Sequence, residues 1–321
     1  LGTVVGLFGA LLNIYAIQSE SFFLFCVGSY LIGCLLGFGQ LYRFAAIETT
    51  PEEHKARAVS LVLFGGMLSG ILGPGIAFVT KDWVEGAPFM GSYQSLIGLY
   101  VIVFLLLQLV DLPKPTANEQ QPRTRPFWEI TRQTTWKISL LSAALGYAAM
   151  ALIMTATPLS MQAHHHSFSA SAFVIQWHVI AMFMPSFFTG NLIQRFGGKN
   201  IMLVGIGLNL LCILINTQGQ FFLSYWSALI LLGVGWNFMF IAGTTLLTET
   251  YRPEEKALVQ GVNDVLVFGA AASGSLLAGV LQNQIGWETL NIVVAPPLLL
   301  LAGWLLWLKR GRGILVQQPI H

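Results

Sequence analysis

Few residues in the long uncharged stretches of this 321-residue chain could do chemistry. Gln176, Trp177 and His178 stand together in one stretch, Trp236 and Asn237 in another, and Gln40 holds a comparable place nearer the N-terminus. Neutral polar and aromatic side chains of this kind hold a ligand by hydrogen bonds and ring contact and do not cleave it. Gln176 and His178 are two positions apart, roughly 200° around a helix of about 3.6 residues per turn, so both cannot face one cavity squarely. His178 is assigned to the cavity, because an imidazole facing lipid is costly, while a bond to a neighbouring helix is the competing role. Asp264, beside Asn263, lies about two turns into its run, where bracing a bundle end is expected rather than binding cargo. Tyr147, Met150 and Met154 share a helical spacing that fits packing better than a site.

Other chemistries find no support. His164-His165-His166 cannot all face one metal from a helix or strand, so a solvated loop is expected and no metal site. An enzyme working inside a membrane would need clustered ionisable groups, and His178 and Asp264 stand in different runs. Walker loops, nucleophile elbows and H-E-x-x-H pairs are absent from the sequence. Neither an enzyme nor a cofactor is implied.

The elements that must position these residues are set by charge. No Asp, Glu, Lys or Arg occurs from Ile138 to Gln194, or from Asn200 to Thr248. About 20 mostly apolar residues suffice to cross a bilayer, so each stretch holds two or more crossings. Polar and turn-rich points divide the chain into ten candidate helices at 1–17, 22–45, 58–80, 92–111, 136–162, 168–190, 200–217, 221–247, 258–281 and 289–308. Threaded with Leu1 inside, the inner loops and tail hold 15 of the 16 Lys and Arg residues, and the outer loops hold only Lys81. This is a positive-inside pattern with both ends of the chain cytoplasmic. At 55% hydrophobic and 9% charged residues, a soluble protein of this size would lack a solvating surface, and the net charge of +2 says nothing of nucleic acid. Cys26, Cys34 and Cys212 lie inside candidate spans as small apolar residues rather than a disulfide framework.

The chain also repeats itself. Thr50-Pro51-Glu52-Glu53-His54-Lys55-Ala56 returns as Arg252-Pro253-Glu254-Glu255-Lys256-Ala257. Phe64-Gly65, Ser69-Gly70, Leu72 and Gly75 match Phe268-Gly269, Ser273-Gly274, Leu276 and Gly279 at a constant offset of 204. Leu35-Leu36-Gly37-Phe38-Gly39 answers Leu231-Leu232-Gly233-Val234-Gly235. Proline at a first helical position and paired glutamates suit a helix start, and Thr50 with Glu53 has capping-box spacing. Two similar helical bundles are expected: a first at 1–111, a cytoplasmic loop at 112–135, a six-helix bundle at 136–308 and a tail at 309–321.

Gly190-Asn191-Leu192-Ile193-Gln194-Arg195-Phe196-Gly197-Gly198-Lys199 resembles the cytoplasmic G-x-x-x-D-R/K-x-G-x-R/K signature of the major facilitator superfamily of secondary transporters, with Gln194 in place of the usual Asp. The resemblance implies an all-α integral membrane protein, a polytopic bundle of about ten helices corresponding to helices 3 to 12 of twelve. Two helices and a first signature copy would then precede Leu1, which opens inside an apolar run. It further implies alternating access for a small organic solute bound near the midplane, with His178, Gln176, Trp177, Trp236, Asn237 and Gln40 as candidate contacts. Gly190, Arg195, Gly197, Lys199 and Asp264 would serve gating or packing at the cytoplasmic side. Gly65, Ser69 and Gly73 are spaced by four for close helix packing, and Ser69 with Gly73-Pro74 resembles the antiporters' G-x-x-x-G-P motif, a lean towards efflux. The arginine that proton-coupled antiporters often carry in the preceding helix is Gly33 here, so a coupling proton stays open. Uptake symport, uniport and a non-transporting receptor are the alternatives. The expected partners are a small-molecule substrate and the lipid bilayer, with no nucleic acid. The chain is expected to be a monomer in a cell membrane of bacterial inner-membrane type.

Overall fold

A computed structural model of the chain describes residues 2–48, 55–109 and 125–315, which form helices and, among the described residues, no strand. The chain divides into two compact units, Leu1–Thr116 and Ala117–His321. The expected helix starts at Thr50 and Glu53 lie outside the described residues, as do the side chains of Gln40 and Arg43.

The first unit holds α1 (Gly2–Gln18), α2 (Phe22–Glu48), α3 (Lys55–Thr80) and α4 (Met90–Leu107). α1 and α2 pack closely because small residues on α1 receive large ones from α2: a methyl group added to Gly2 would meet Phe38 at 2.7 Å, and one added to Gly9 would meet Gly28 O at the same distance. Asn13 Nδ2 donates to Ser29 Oγ across this seam at 3.3 Å. α3 carries Pro74 without a break, and an added methyl at Gly65, Gly73 or Gly75 meets nothing within 4 Å.

The second unit holds α5 (Phe127–Arg132), α6 (Thr134–Ala163), α7 (Phe168–Phe183), α8 (Ser186–Phe196), α9 (Gly198–Asn216), α10 (Phe222–Leu247), a single 3-10 turn at Pro253–Glu255, and α11 (Lys256–Leu315). Three features depart from the sequence expectations. The helix expected at 168–190 is two helices, α7 and α8, bent by 43° at Met184-Pro185, since a proline cannot donate the bond that would continue the ladder. The helices expected at 258–281 and 289–308 are the two arms of α11, which run on to meet at a kink at Gly286 with no loop between them; its φ of 75° breaks the helix there and suits glycine. The charged, proline-containing loop contains α5, which buries Ile130 against Trp136, Leu247 and Val259.

Among the described residues, six helices are long and apolar enough to cross a membrane, or seven with the bent pair taken as one, by length and composition. One of the six, Lys256–Lys309, has 54 residues. It is kinked at Gly286, and at about 1.5 Å per residue each arm is long enough to cross a hydrocarbon core of about 30 Å. Leu276 and Leu300 are 79% and 76% exposed, as expected where lipid rather than water covers the surface.

Hydrogen bonds define the two ends of the second unit. At one end, His166 Nε2 lies 2.9 Å from Gln220 O, Gln220 Nε2 donates to Glu288 at 3.3 Å, and Tyr225 Oη bonds Ser160 Oγ at 2.7 Å. The histidine run is thus tied to α10 rather than wholly solvated. At the other end, Arg125 reaches Glu255 with Nε at 2.7 Å and Nη2 at 2.9 Å, and donates to Thr250 O. Gln133 donates to the same carbonyl at 2.9 Å, and Lys309 Nζ donates to Asn200 Oδ1 at 3.2 Å.

Candidate solute site

α7 and α10 run side by side in the same direction, with His178 against Leu229 and Gly233, and Met182 against Asn237. They can do so because Gly233 lacks a side chain: a methyl there would sit 2.8 Å from His178 O. His178 is fully buried in this seam, its Nδ1 2.7 Å from Leu229 O, and so takes the bond to a neighbouring helix rather than facing an open cavity. Its Nε2 has no hydrogen-bond partner among the described residues. Trp177 turns outward, 39% exposed, with its ring edge on Trp226 at 6.0 Å. Gln176 is half-buried.

Trp236 and Asn237 are neighbours in sequence and about 100° apart around α10, so they face different partners. Asn237, 1% exposed, spends its polar atoms on the α7–α8 link: Nδ2 donates to Met182 O at 2.7 Å and to Ser186 Oγ at 2.6 Å, and Oδ1 accepts from Thr189 at 2.7 Å. Trp236 instead enters an aromatic cluster. It stacks on Phe240 with centroids 5.1 Å apart and planes 8° from parallel. Tyr147 of α6 meets the edges of Trp236, Phe240 and Phe268 at 5.2, 5.6 and 5.5 Å, and Phe183 of α7 lies 6.3 Å from Trp236. Four helix segments thus contribute rings to one place. Trp236 Nε1 is buried without a hydrogen-bond partner among the described residues. Phe240 was findable from sequence, lying four residues from Trp236 on the same face. Phe183 and Phe268 carry no such mark, because only the tertiary fold brings them in.

The signature loop lies at the opposite end of α8. Gly197 adopts φ 83° between α8 and α9, a conformation that strains any side chain, and Gly198 packs under Leu246. Thr135, Gly197, Gly198, Lys199, Asn200, Leu246 and Glu249 line a recess of about 290 Å³. Arg195 is exposed, with its guanidinium 5.2 Å over the Phe196 ring, and Gly190 is exposed one turn earlier. Asp264 accepts a bond from Asn263 at 3.3 Å in the first arm of α11, one turn before Phe268 on the same face. In the first unit, Ser69 Oγ donates to Gly66 O at 2.6 Å within its own helix, and Gly73 and Pro74 follow it along α3.

Comparison with known proteins places this arrangement. The chain is 39% identical over 298 residues to a riboflavin transporter, RfnT, of Brucella anthropi, covering 92% of this chain and 75% of that protein. It is 28% identical over 328 residues to an uncharacterized MFS-type transporter, YdeG, of Bacillus subtilis, covering 97% and 76%. The fold superposes on that of FucP in the outward conformation with a TM-score of 0.58 at 15% identity, over 95% of this chain and 82% of that one. The Major Facilitator Superfamily profile matches residues 1–270 and 139–315, and with the helical architecture and the signature loop this shows that the chain is a transporter belonging to the Major Facilitator Superfamily.

Proposed function

We propose that the chain moves a small, uncharged, flat heteroaromatic solute across the bilayer by alternating access, seating its ring system against the Trp236–Phe240 stack. The observation that carries this reading is the stack itself, two nearly parallel rings edged by Tyr147, Phe183 and Phe268, with no carboxylate or cation among them. A flat ring gains about 0.5–1.5 kcal/mol from such contacts beyond its buried area. A charged solute would need a counter-charge, and the stretches on α6, α7 and α10 have none; Asp264, one turn before Phe268 on α11, is a carboxylate that a neutral solute leaves to its Asn263 bond. The unpartnered indole N–H of Trp236 is a donor for a ring carbonyl. Likeness to a riboflavin transporter supports the same class, since riboflavin is a neutral tricyclic ring bearing a polyol chain. His178, Asn237, Gln176 and Trp177 then shape α7 against its neighbours.

The solute is carried unchanged, by a monomer with both ends cytoplasmic. Ser69 and Gly73-Pro74 in α3 favour export as a second reading, by their resemblance to the antiporter motif. The test is riboflavin flux in proteoliposomes, measured in both directions and with and without a pH gradient. Flux above that of protein-free vesicles is expected, with Trp236→Leu weakening apparent affinity about tenfold, equal to about 1.4 kcal/mol. No riboflavin flux in either direction would remove the solute class, and an unchanged affinity in the variant would remove the stack.

A further inference from the structure

The link between α7 and α8 carries more polar machinery than a bend requires. Pro185 offers no N–H, so carbonyls in the turn before it need donors from elsewhere, and in a membrane those must come from protein. α10 supplies them through Asn237, whose Nδ2 reaches Met182 O at 2.7 Å and Ser186 Oγ at 2.6 Å. Met182 O can only accept, which fixes the orientation of the amide and turns its oxygen towards Thr189. Thr189 Oγ1 then lies 2.7 Å from Asn237 Oδ1 and also 2.7 Å from Pro185 O. A hydroxyl has one hydrogen, and two acceptors at the same distance compete for it. Thr189 is 0% exposed, so bulk water does not resolve the competition.

We propose that Asn237 and Thr189 form an adjustable clamp on this link, with Asn237 the residue that positions α8 during transport. With the Thr189 hydrogen on Asn237 Oδ1, α8 is held to α10 at the observed bend. With it on Pro185 O alone, that tie is released, and α8 is held to α10 here only at its first residue, by the Asn237–Ser186 bond, so its far end can take a second angle. The clamp sits where it can sense solute and move the signature loop. Asn237 follows Trp236 in sequence, and Phe183, which packs on Trp236, immediately precedes Met184-Pro185. The far end of α8 carries Gly190 and Arg195 and leads into the Gly197 turn. The inference rests on this chain being a transporter and not on the identity of its solute.

Thr189→Val removes the hydroxyl at nearly constant size, and Thr189→Ser keeps it. Hydrogen–deuterium exchange of residues 184–196, measured on the full chain in lipid nanodiscs without solute, is expected to rise about fivefold in the valine variant, the effect of one buried hydrogen bond on a local opening equilibrium. The serine variant should match wild type. In proteoliposomes with riboflavin, the valine variant should show kcat lowered about fivefold with KM within about twofold of wild type, again rescued by serine. Asn237→Leu, which removes the Met182 and Ser186 bonds as well, should raise exchange at least as much, and adding Thr189→Val to it should have no further effect. Unchanged exchange in the valine variant overturns the clamp. So does a parallel loss of binding and turnover that serine fails to rescue, which marks a packing role of the side chain rather than one for its hydroxyl. If wild type carries no riboflavin, the solute assignment falls by itself and the exchange comparison still decides the clamp.

Discussion

Single residues in this chain divide their labour by a turn of the helix. Trp236 and Asn237 are adjacent, yet one faces rings and the other holds the α7–α8 link. The sequence marked both as polar or aromatic groups in an apolar run, which is a reliable sign of an engaged side chain. It did not say which partner each engages, because facing depends on the neighbouring helices. His178 shows the same limit: a buried imidazole was legible, the Leu229 carbonyl that it meets was not. Glu255 is the reverse case, read only as a helix-start acid and found 1% exposed under Arg125. The Arg125 hydrogen bonds hold its carboxyl below the usual carboxylate range, aided by the Arg252 N–H and opposed by burial. A carboxyl whose folded pKa is depressed adds stability that is complete above its unfolded pKa, about 4.3, and is lost as pH falls through the folded value. Glu255→Gln should therefore lower the melting temperature of the detergent-solubilised protein at pH 7, an effect worth about 1.5–3 kcal/mol for bonds to a charged group. The gap between variant and wild type should close as pH falls below about 4. A gap that is the same at both pH values would assign the loss to packing instead.

Elements meet where glycine permits. On α9 and α10, Gly205 and Gly235 face each other: a methyl on Gly205 would stand 2.8 Å from Gly235 O, and one on Gly235 would stand 2.9 Å from Gly205 O. Backbone oxygens cannot rotate away, so Gly205→Ala forces the helices apart, at a cost of about 1–3 kcal/mol. Gly207, two positions further along α9, would meet nothing within 4 Å. Gly207→Ala should hold or slightly raise stability, since alanine favours a helix by about 0.8–1.0 kcal/mol over glycine. Thermal unfolding of the two variants checks the contrast, and equal effects would show that this seam is not set by close approach. Most elements were legible because apolar runs between charged loops leave little choice of where a helix lies. The three departures have two causes. Pro185 and Gly286 act on backbone geometry inside apolar runs that look uniform, and α5 hides among charges that read as loop. Its Pro126, Glu129 and Arg132 are placed as a short helix prefers, but six residues carry too few periodic positions to stand out.

At the scale of the whole molecule, the hydrogen bonds of the second unit gather at one end the basic residues that the charge pattern assigns to one side. The bonds of Arg125, Gln133 and Lys309 gather the starts of α5, α6, α9 and α11 at one end. Arg132, Lys137, Arg195, Lys199, Arg252 and Lys256 lie on the elements or turns of that end. The other end, tied by His166, Gln220 and Glu288, has no lysine or arginine among its described residues. A bilayer retains basic loops on the cytoplasmic side, so the Arg125–Glu255 end is expected to face the cytoplasm and the His166–Gln220 end to face out. Single cysteines replacing Lys256 and Gln218, both exposed, test this in a background lacking Cys26, Cys34 and Cys212. In sealed right-side-out vesicles an impermeant maleimide should label the Gln218→Cys protein at once and the Lys256→Cys protein only after the membrane is opened. Gln218 stands between α9 and α10 and Lys256 opens α11, so one helix, α10, separates the two sites in the chain. Labelling of both from the same side would mean that α10 does not cross, and the threading of the second unit would fail with it.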